Sequence, residues 1–158
     1  MTKKLDFFKI LNVSPRVSHL DNEIRLHTYT DSQFIVKMYR NYMDEKFTYM
    51  YLELCPFGNL HSLMRTNKKA KTHFDEFTVK FYMGCVIEAL DYLHNMCDPP
   101  VAFRDLKLEN LVLSQHRYVK LTDFGISKEL PEDRPVTATF CGTYAYIAAG
   151  KKLVHTWE

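Results

Sequence analysis

The stretch Phe103-Arg-Asp-Leu-Lys-Leu-Glu-Asn110, followed after a strand–turn–strand pattern by Asp123-Phe-Gly125, decides how this chain is read. Its polar residues suit the movement of a phosphoryl group. That chemistry needs metal ions to neutralise a triphosphate and a carboxylate to orient the attacking hydroxyl. Asp105 can accept the hydroxyl proton. Asn110 and Asp123 offer the hard oxygen ligands that Mg²⁺ prefers, and Lys107 brings positive charge to the transferring group. An Asp-Phe-Gly triplet alone carries no information; its order after Arg-Asp-Leu-Lys-x-Glu-Asn and before Cys141-Gly-Thr143 is very specific.

Working outward, the motif sits on an alternating framework. Residues 7–11, 34–39 and 47–54 read as strands, with the aromatic and β-branched bias of half-buried sheet. Residues 17–28 read as a helix between the first two. Gly58 marks a turn, and a short helix begins over 60–64. Val79, Tyr82, Met83, Val86, Leu90 and Leu93 recur at helical spacing, so a long helix is expected over 75–94 with Asp75 as its N-cap. Pro99-Pro100 forces an irregular connection. Residues 111–113 and 118–121 read as two short strands around a polar turn at 114–117, and no periodicity follows Pro131. The basic cluster Lys68, Lys69 and Lys71 reads as a solvated loop between two helices.

Composition narrows the class. The chain has 158 residues, 46% hydrophobic and 25% charged, with a net charge of +2; this is ordinary for one globular domain and too weakly basic to indicate a nucleic-acid partner. No apolar run approaches a membrane span and no signal peptide is visible, so no membrane partner is expected. Cys55, Cys85, Cys97 and Cys141 are scattered without metal-ligand spacing. Unpaired thiols fit a reducing compartment, which makes cytoplasm or nucleus the expected location.

The motif residues resemble the signature of eukaryotic serine/threonine protein kinases. Lys107, two residues after Asp105, is the serine/threonine pattern; tyrosine kinases usually place Ala-Ala-Arg or Arg-Ala-Ala in this loop. Phe103 stands for the family's His or Tyr, and Tyr is the habit of the AGC group, which includes the cyclic-nucleotide-dependent kinases. Thr139-Phe-Cys-Gly-Thr143 and Phe34-Ile-Val-Lys-Met-Tyr also look like AGC sequences. The resemblance implies an α+β fold, a partial bilobal kinase with a reduced antiparallel sheet and the first part of the helical lobe. It implies ATP and Mg²⁺ as cofactors, a protein substrate with Ser or Thr hydroxyls, and an upstream activating kinase as a partner.

It also assigns roles. Asp105 and Lys107 become catalytic, and Asn110 and Asp123 metal-binding. Lys9 resembles the lysine that holds the α- and β-phosphates, Glu23 the helical glutamate that pairs with it, and Glu53 and Cys55 the hinge facing adenine, with Leu52 as gatekeeper. Thr139 resembles the activation-loop phosphosite, His19, Arg104 and Lys128 the basic residues around its phosphate, and Thr143 the residue bridging the catalytic aspartate and lysine.

The pattern also breaks. The resemblance runs from about Phe7 to Ile147, so 1–158 is expected to be a partial kinase domain, truncated at both ends, with a tail at 151–158 unlike the family. The glycines are Gly58, Gly84, Gly125, Gly142 and Gly150, which leaves no glycine-rich loop. Phe7 takes an alanine's place beside adenine, and His27 the place of an apolar residue stacked behind the family's C helix. Leu108 replaces the catalytic-loop proline, and Asn59 a glutamate that reads substrate arginine. Apolar faces of the 75–94 helix are expected to be exposed, and the isolated chain is expected to transfer little phosphate. The alternative is a catalytically inactive kinase-like fragment, or a pseudokinase acting as a module that binds a partner.

Overall fold

The structure is a computed structural model; it describes residues 9–12, 17–44, 47–130 and 141–146, with the side chains of 9–12, 17–19 and 47 excepted. Expectations on Phe7, Phe8, Thr139 and the tail at 151–158 lie outside the described residues, as do the side chains of Lys9 and His19.

Strands β1 (Lys9–Asn12), β2 (Met38–Met43) and β3 (Phe47–Leu52) form an antiparallel sheet in the order β1-β3-β2. β3 is central because its side chains alternate: Thr48 and Met50 are buried, whereas Tyr51 faces outward. The register sets Lys9 opposite Met50.

The strand expected over 34–39 begins only at Met38. The preceding residues leave the sheet and bind the other half of the molecule: Ile35 bridges Leu121 in parallel. The Leu121 N–H donates to the Phe34 carbonyl at 2.8 Å, and the Val36 N–H to the Leu121 carbonyl at 2.9 Å. Ile35 and Val36 are both buried there, and apolar burial outweighs continuation of the edge strand.

Helix α1 (Val17–Tyr29) presents Glu23, Leu26 and His27 inward. Helix α2 (Leu60–Lys69) starts where the Asn59 carboxamide oxygen accepts from the Ser62 N–H at 2.8 Å. It is longer than the sequence suggests. Lys68 and Lys69, expected in a loop, occupy its last turn, where cations complement the carbonyl end of a helix.

Helix α3 (Glu76–Asp91) is capped by Asp75, whose carboxylate accepts from the Thr78 N–H and hydroxyl, both at 2.8 Å. A π-helical turn, Tyr92–Met96, continues it. The buried face is Cys85, Val86, Ala89 and Leu93. Val79 and Met83, on the expected apolar stripe, lie off this centre and are exposed, and Phe77 and Ile87 are more exposed still, at 81% and 61%.

Two short ribbons complete the helical half. β5 (Leu111–Leu113) pairs with β6 (Val119–Leu121), and their alternate residues Leu111, Leu113, Val119 and Leu121 enter the core. β4 (Val101–Ala102) pairs with β7 (Lys128–Glu129); two-residue strands are too short for a period-2 signal, which is why the sequence did not reveal them. Among the described residues, no helix is long and apolar enough to cross a membrane.

Leu93 is fully buried where the π turn meets the core. Leu93→Ala should therefore destabilise the fold by about 2–5 kcal/mol. Met83→Ala, on the exposed side of the same helix, should stay within about 0.5 kcal/mol of the parent. Urea unfolding at neutral pH checks both.

Candidate active site

The loop after β4 holds the motif, and its backbone explains how. Phe103 is buried, and its carbonyl accepts from the Ser127 hydroxyl at 2.9 Å. Arg104 follows in the left-handed region, with φ 66°, and its Nε donates to the Ile126 carbonyl at 2.7 Å. These two bonds clamp the loop against the segment after Asp123. A 3₁₀ turn, Leu108–Asn110, then leads into β5.

Four polar side chains converge here. Lys107 Nζ lies 2.7 Å from Asp105 Oδ2 and 3.3 Å from the Thr143 hydroxyl. The Thr143 hydroxyl donates to Asp105 Oδ1 at 2.8 Å. Asn110 Nδ2 donates to the Asp105 carbonyl and to Oδ2, both at 3.0 Å. Burial works to raise the Asp105 carboxyl, but the hydrogen bonds from Lys107 and Thr143 and the Lys107 charge outweigh it and hold the group below its ordinary value. The hydrogen bond to Asp105 raises Lys107 in turn, against some desolvation. The result is an ionised carboxylate with a fixed direction, flanked by a cation and a hydroxyl.

Asp123 reaches the same place from β6. The Thr122 N–H donates to the Asn110 carbonyl at 3.1 Å, which joins the residue just before β5 to the segment just after β6 that carries Asp123. Asp123 has φ 71°, a left-handed conformation that costs a non-glycine residue about 1–2 kcal/mol. Phe124 holds it there: the ring is fully buried, edge-on to Phe103 at 5.4 Å and to His27 at 4.8 Å. The Gly125 N–H donates to Asp123 Oδ1 at 3.3 Å, and a Cβ on Gly125 would stand 3.3 Å from that same oxygen. A larger residue at 125 would therefore have to displace that carboxylate oxygen by a few tenths of an ångström.

These residues fit a hard divalent cation. Asn110 spends its amide nitrogen on Asp105, and the other atom of its carboxamide is an oxygen of the kind a hard cation prefers. Among the described residues no group of three or more His, Cys, Asp or Glu could hold a metal alone. Mg²⁺ characteristically takes one or two protein ligands and completes its shell with phosphate oxygens and water, so the donor set matches a metal that arrives with a nucleotide.

Other expected site residues are placed less completely. Glu23 is buried, and its Oε2 lies 4.0 Å from where a Cβ on Gly125 would be, so it faces the Asp-Phe-Gly turn. Lys9 lies on β1 of the sheet beside α1. Glu53 and Cys55 occupy the link between β3 and α2. The Glu53 N–H donates to the Lys37 carbonyl at 2.7 Å, and the Cys55 carbonyl accepts from the Gly58 N–H at 3.2 Å. Burial, and then the Glu53 charge, push the Cys55 thiol up to about 11, so it is no nucleophile. The β4–β7 register pairs Ala102 with Lys128, whose side chain is exposed.

Sequence reasoning missed two features. The Glu53 carboxylate pairs with Lys120 Nζ at 2.6 Å, joining the link between the halves to β6. His27, noted only as a departure, is 2% exposed and forms part of the ring stack around Phe124. Neither has a local signal, because each depends on residues far apart in the chain.

The family model for the protein kinase domain matches residues 2–150. The chain is 43% identical over 130 residues to a cGMP-dependent protein kinase of Drosophila melanogaster, isozyme 2 forms cD5/T2, covering 82% of this chain and 13% of that protein. It is 45% identical to human cGMP-dependent protein kinase 2 and 42% identical to cGMP-dependent protein kinase egl-4 of Caenorhabditis elegans, each over 82% of this chain and 16% of the relative. The chain therefore spans less than a fifth of the length of these relatives. The matched region contains the clamped loop, the Asp105 quartet and the Asp123 turn, and the chain belongs to the protein kinase family.

Proposed function

We propose that this chain carries catalytic machinery of an AGC-like serine/threonine protein kinase, which transfers the γ-phosphoryl group of ATP to Ser or Thr hydroxyls of a protein. The observation that carries this reading is the convergence of Lys107, Asn110 and Thr143 on the Asp105 carboxylate, with Asp123 near enough for its charge to act on Lys107.

Each residue has a task. Asp105 is held ionised and oriented, ready to accept the proton of an incoming hydroxyl. Lys107 is already beside it, so its charge meets the negative charge that develops on the moving phosphoryl without reorganising. Asn110 and Asp123 would hold Mg²⁺, which when bound with ATP neutralises the phosphates and aligns them. Glu23 would pair with Lys9 to steady the α- and β-phosphates, and the backbone at Glu53 and Cys55 would face adenine. Thr143 ties the segment after the activation loop to the base, so that substrate seating and base geometry depend on each other. A phosphate on Thr139 would find Arg104, Lys128 and His19 as cationic neighbours, added by an upstream kinase.

The first test is metal-dependent binding. A fluorescent ATP analogue should bind more tightly with Mg²⁺ than without it, and Asp123→Asn should remove that difference. Binding indifferent to Mg²⁺, or to the substitution, contradicts the reading. Phosphate transfer from labelled ATP to a basic protein substrate should be slow and should fall by about 10²–10⁴ in Asp105→Asn; equal transfer by parent and variant counts against it.

The depressed Asp105 carboxyl also predicts a pH dependence. A carboxylate with a lowered folded value contributes stability that is complete above its unfolded value, about 3.9. That contribution is lost as pH falls through the lower folded value. The stability difference between the parent and Asp105→Asn should accordingly be constant from pH 7 to about pH 5 and change only below about pH 4, as read by urea unfolding.

A further inference from the structure

From the geometry we infer that Glu129 is a positioning residue, which clasps α1 to β7 and so holds Glu23 facing the Asp123 turn. Four interactions carry it, three of them between residues about a hundred positions apart. Glu129 Oε1 accepts from Arg25 Nη1 at 2.5 Å and from the Tyr29 hydroxyl at 2.9 Å. One turn earlier on the helix, Asn22 Nδ2 donates to the Ser127 carbonyl at 2.8 Å. The Asn22 carboxamide oxygen accepts from Arg25 Nη2 at 3.2 Å, which steers the guanidinium toward Glu129.

The spacing makes these contacts a single device. Asn22, Arg25 and Tyr29 follow one another at three and four residues, so they line one face of α1. Glu23 and Leu26 point to the interior from the neighbouring face. Anchoring the first face therefore fixes the rotation of the helix and the direction of Glu23. The other end of the clasp is equally well defined, because Glu129 pairs with Val101 in the β4–β7 register and Ser127 also bonds the Phe103 carbonyl. The clasp thus connects α1 to the loop bearing Asp105.

Electrostatics agree with the geometry. Partial burial works to raise the Glu129 carboxyl, yet the bonds from Arg25 and Tyr29 outweigh it and hold the group below the ordinary glutamate value. Burial, and then the bond to Glu129, push the Tyr29 hydroxyl well above its usual range, so it remains a donor. The Arg25 side chain is 53% exposed and that of Glu129 21%. The pair is therefore screened on its outer side.

The positional role rests on the kinase reading, whereas the clasp itself is tested without nucleotide. Hydrogen exchange of the full chain is followed by mass spectrometry for the parent, for Glu129→Ala, and for the charge-swapped double variant Arg25→Glu with Glu129→Arg. Glu129→Ala should speed exchange of α1 amides by about fivefold while leaving the α3 amides unchanged, and the swapped pair should recover most of the protection. Unchanged α1 exchange in Glu129→Ala overturns the inference, as does equal acceleration in α1 and α3, or no recovery by the swapped pair. Failure of the kinase reading is registered separately, as Mg²⁺-independent nucleotide binding, and leaves these exchange rates unmoved.

Discussion

Burial of the Phe124 ring is the constraint from which the rest of the site follows. The ring is fully enclosed and meets Phe103 and His27 edge-on; such pairs add about 0.5–1.5 kcal/mol each beyond area burial. That gain offsets the left-handed backbone at Asp123, whose cost is of similar size. Because Phe103 belongs to the loop bearing Asp105 and His27 to the helix bearing Glu23, one apolar contact aligns three carboxylates contributed by three separate segments. Polar residues could not align one another in this way, since each prefers water until its partners are in place.

Polar links then act at the perimeter of this apolar centre. The parallel bridge between Ile35 and Leu121 joins the sheet to β6 through backbone groups, with the Ile35 and Val36 side chains buried beside it. The Glu53–Lys120 pair fastens the link between the halves to the strand that leads to Asp123. The contacts of Glu129 fasten α1 to β7. Of these, the Arg25–Glu129 contact is the most exposed, with 53% of the Arg25 side chain open to solvent, whereas the Ile35–Leu121 bridge is buried.

The chemistry was more legible in the sequence than the architecture. Asp105, Lys107, Asn110 and Asp123 stood out because a phosphoryl-transferring site requires those groups in that order, and the loop that carries them is continuous. Long elements were legible too: the α3 periodicity and the Asp75 cap gave a helix close to the observed one. What stayed hidden depends on distant residues. The β4–β7 pair has two residues per strand and therefore no pattern. The segment 34–37 has strand-like composition, yet it is drawn away from the sheet by the burial of Ile35 and Val36 against β6. Periodicity shows that α3 has an apolar side but not which half of it is covered; Val79 and Met83 fall in the exposed apolar face that the sequence leads one to expect.

The central claim is that Asn110 and Asp123 receive a metal together with a nucleotide beside an oriented Asp105. Its most direct test is a crystal of the chain grown with Mn²⁺ and a non-hydrolysable ATP analogue, with the anomalous map recorded at the manganese edge. The account predicts a peak bonded to oxygens of Asn110, Asp123 and the analogue's phosphates, with the terminal phosphate on the side of Lys107 and Asp105. A peak that touches neither Asn110 nor Asp123, or an analogue bound away from this turn, would contradict it.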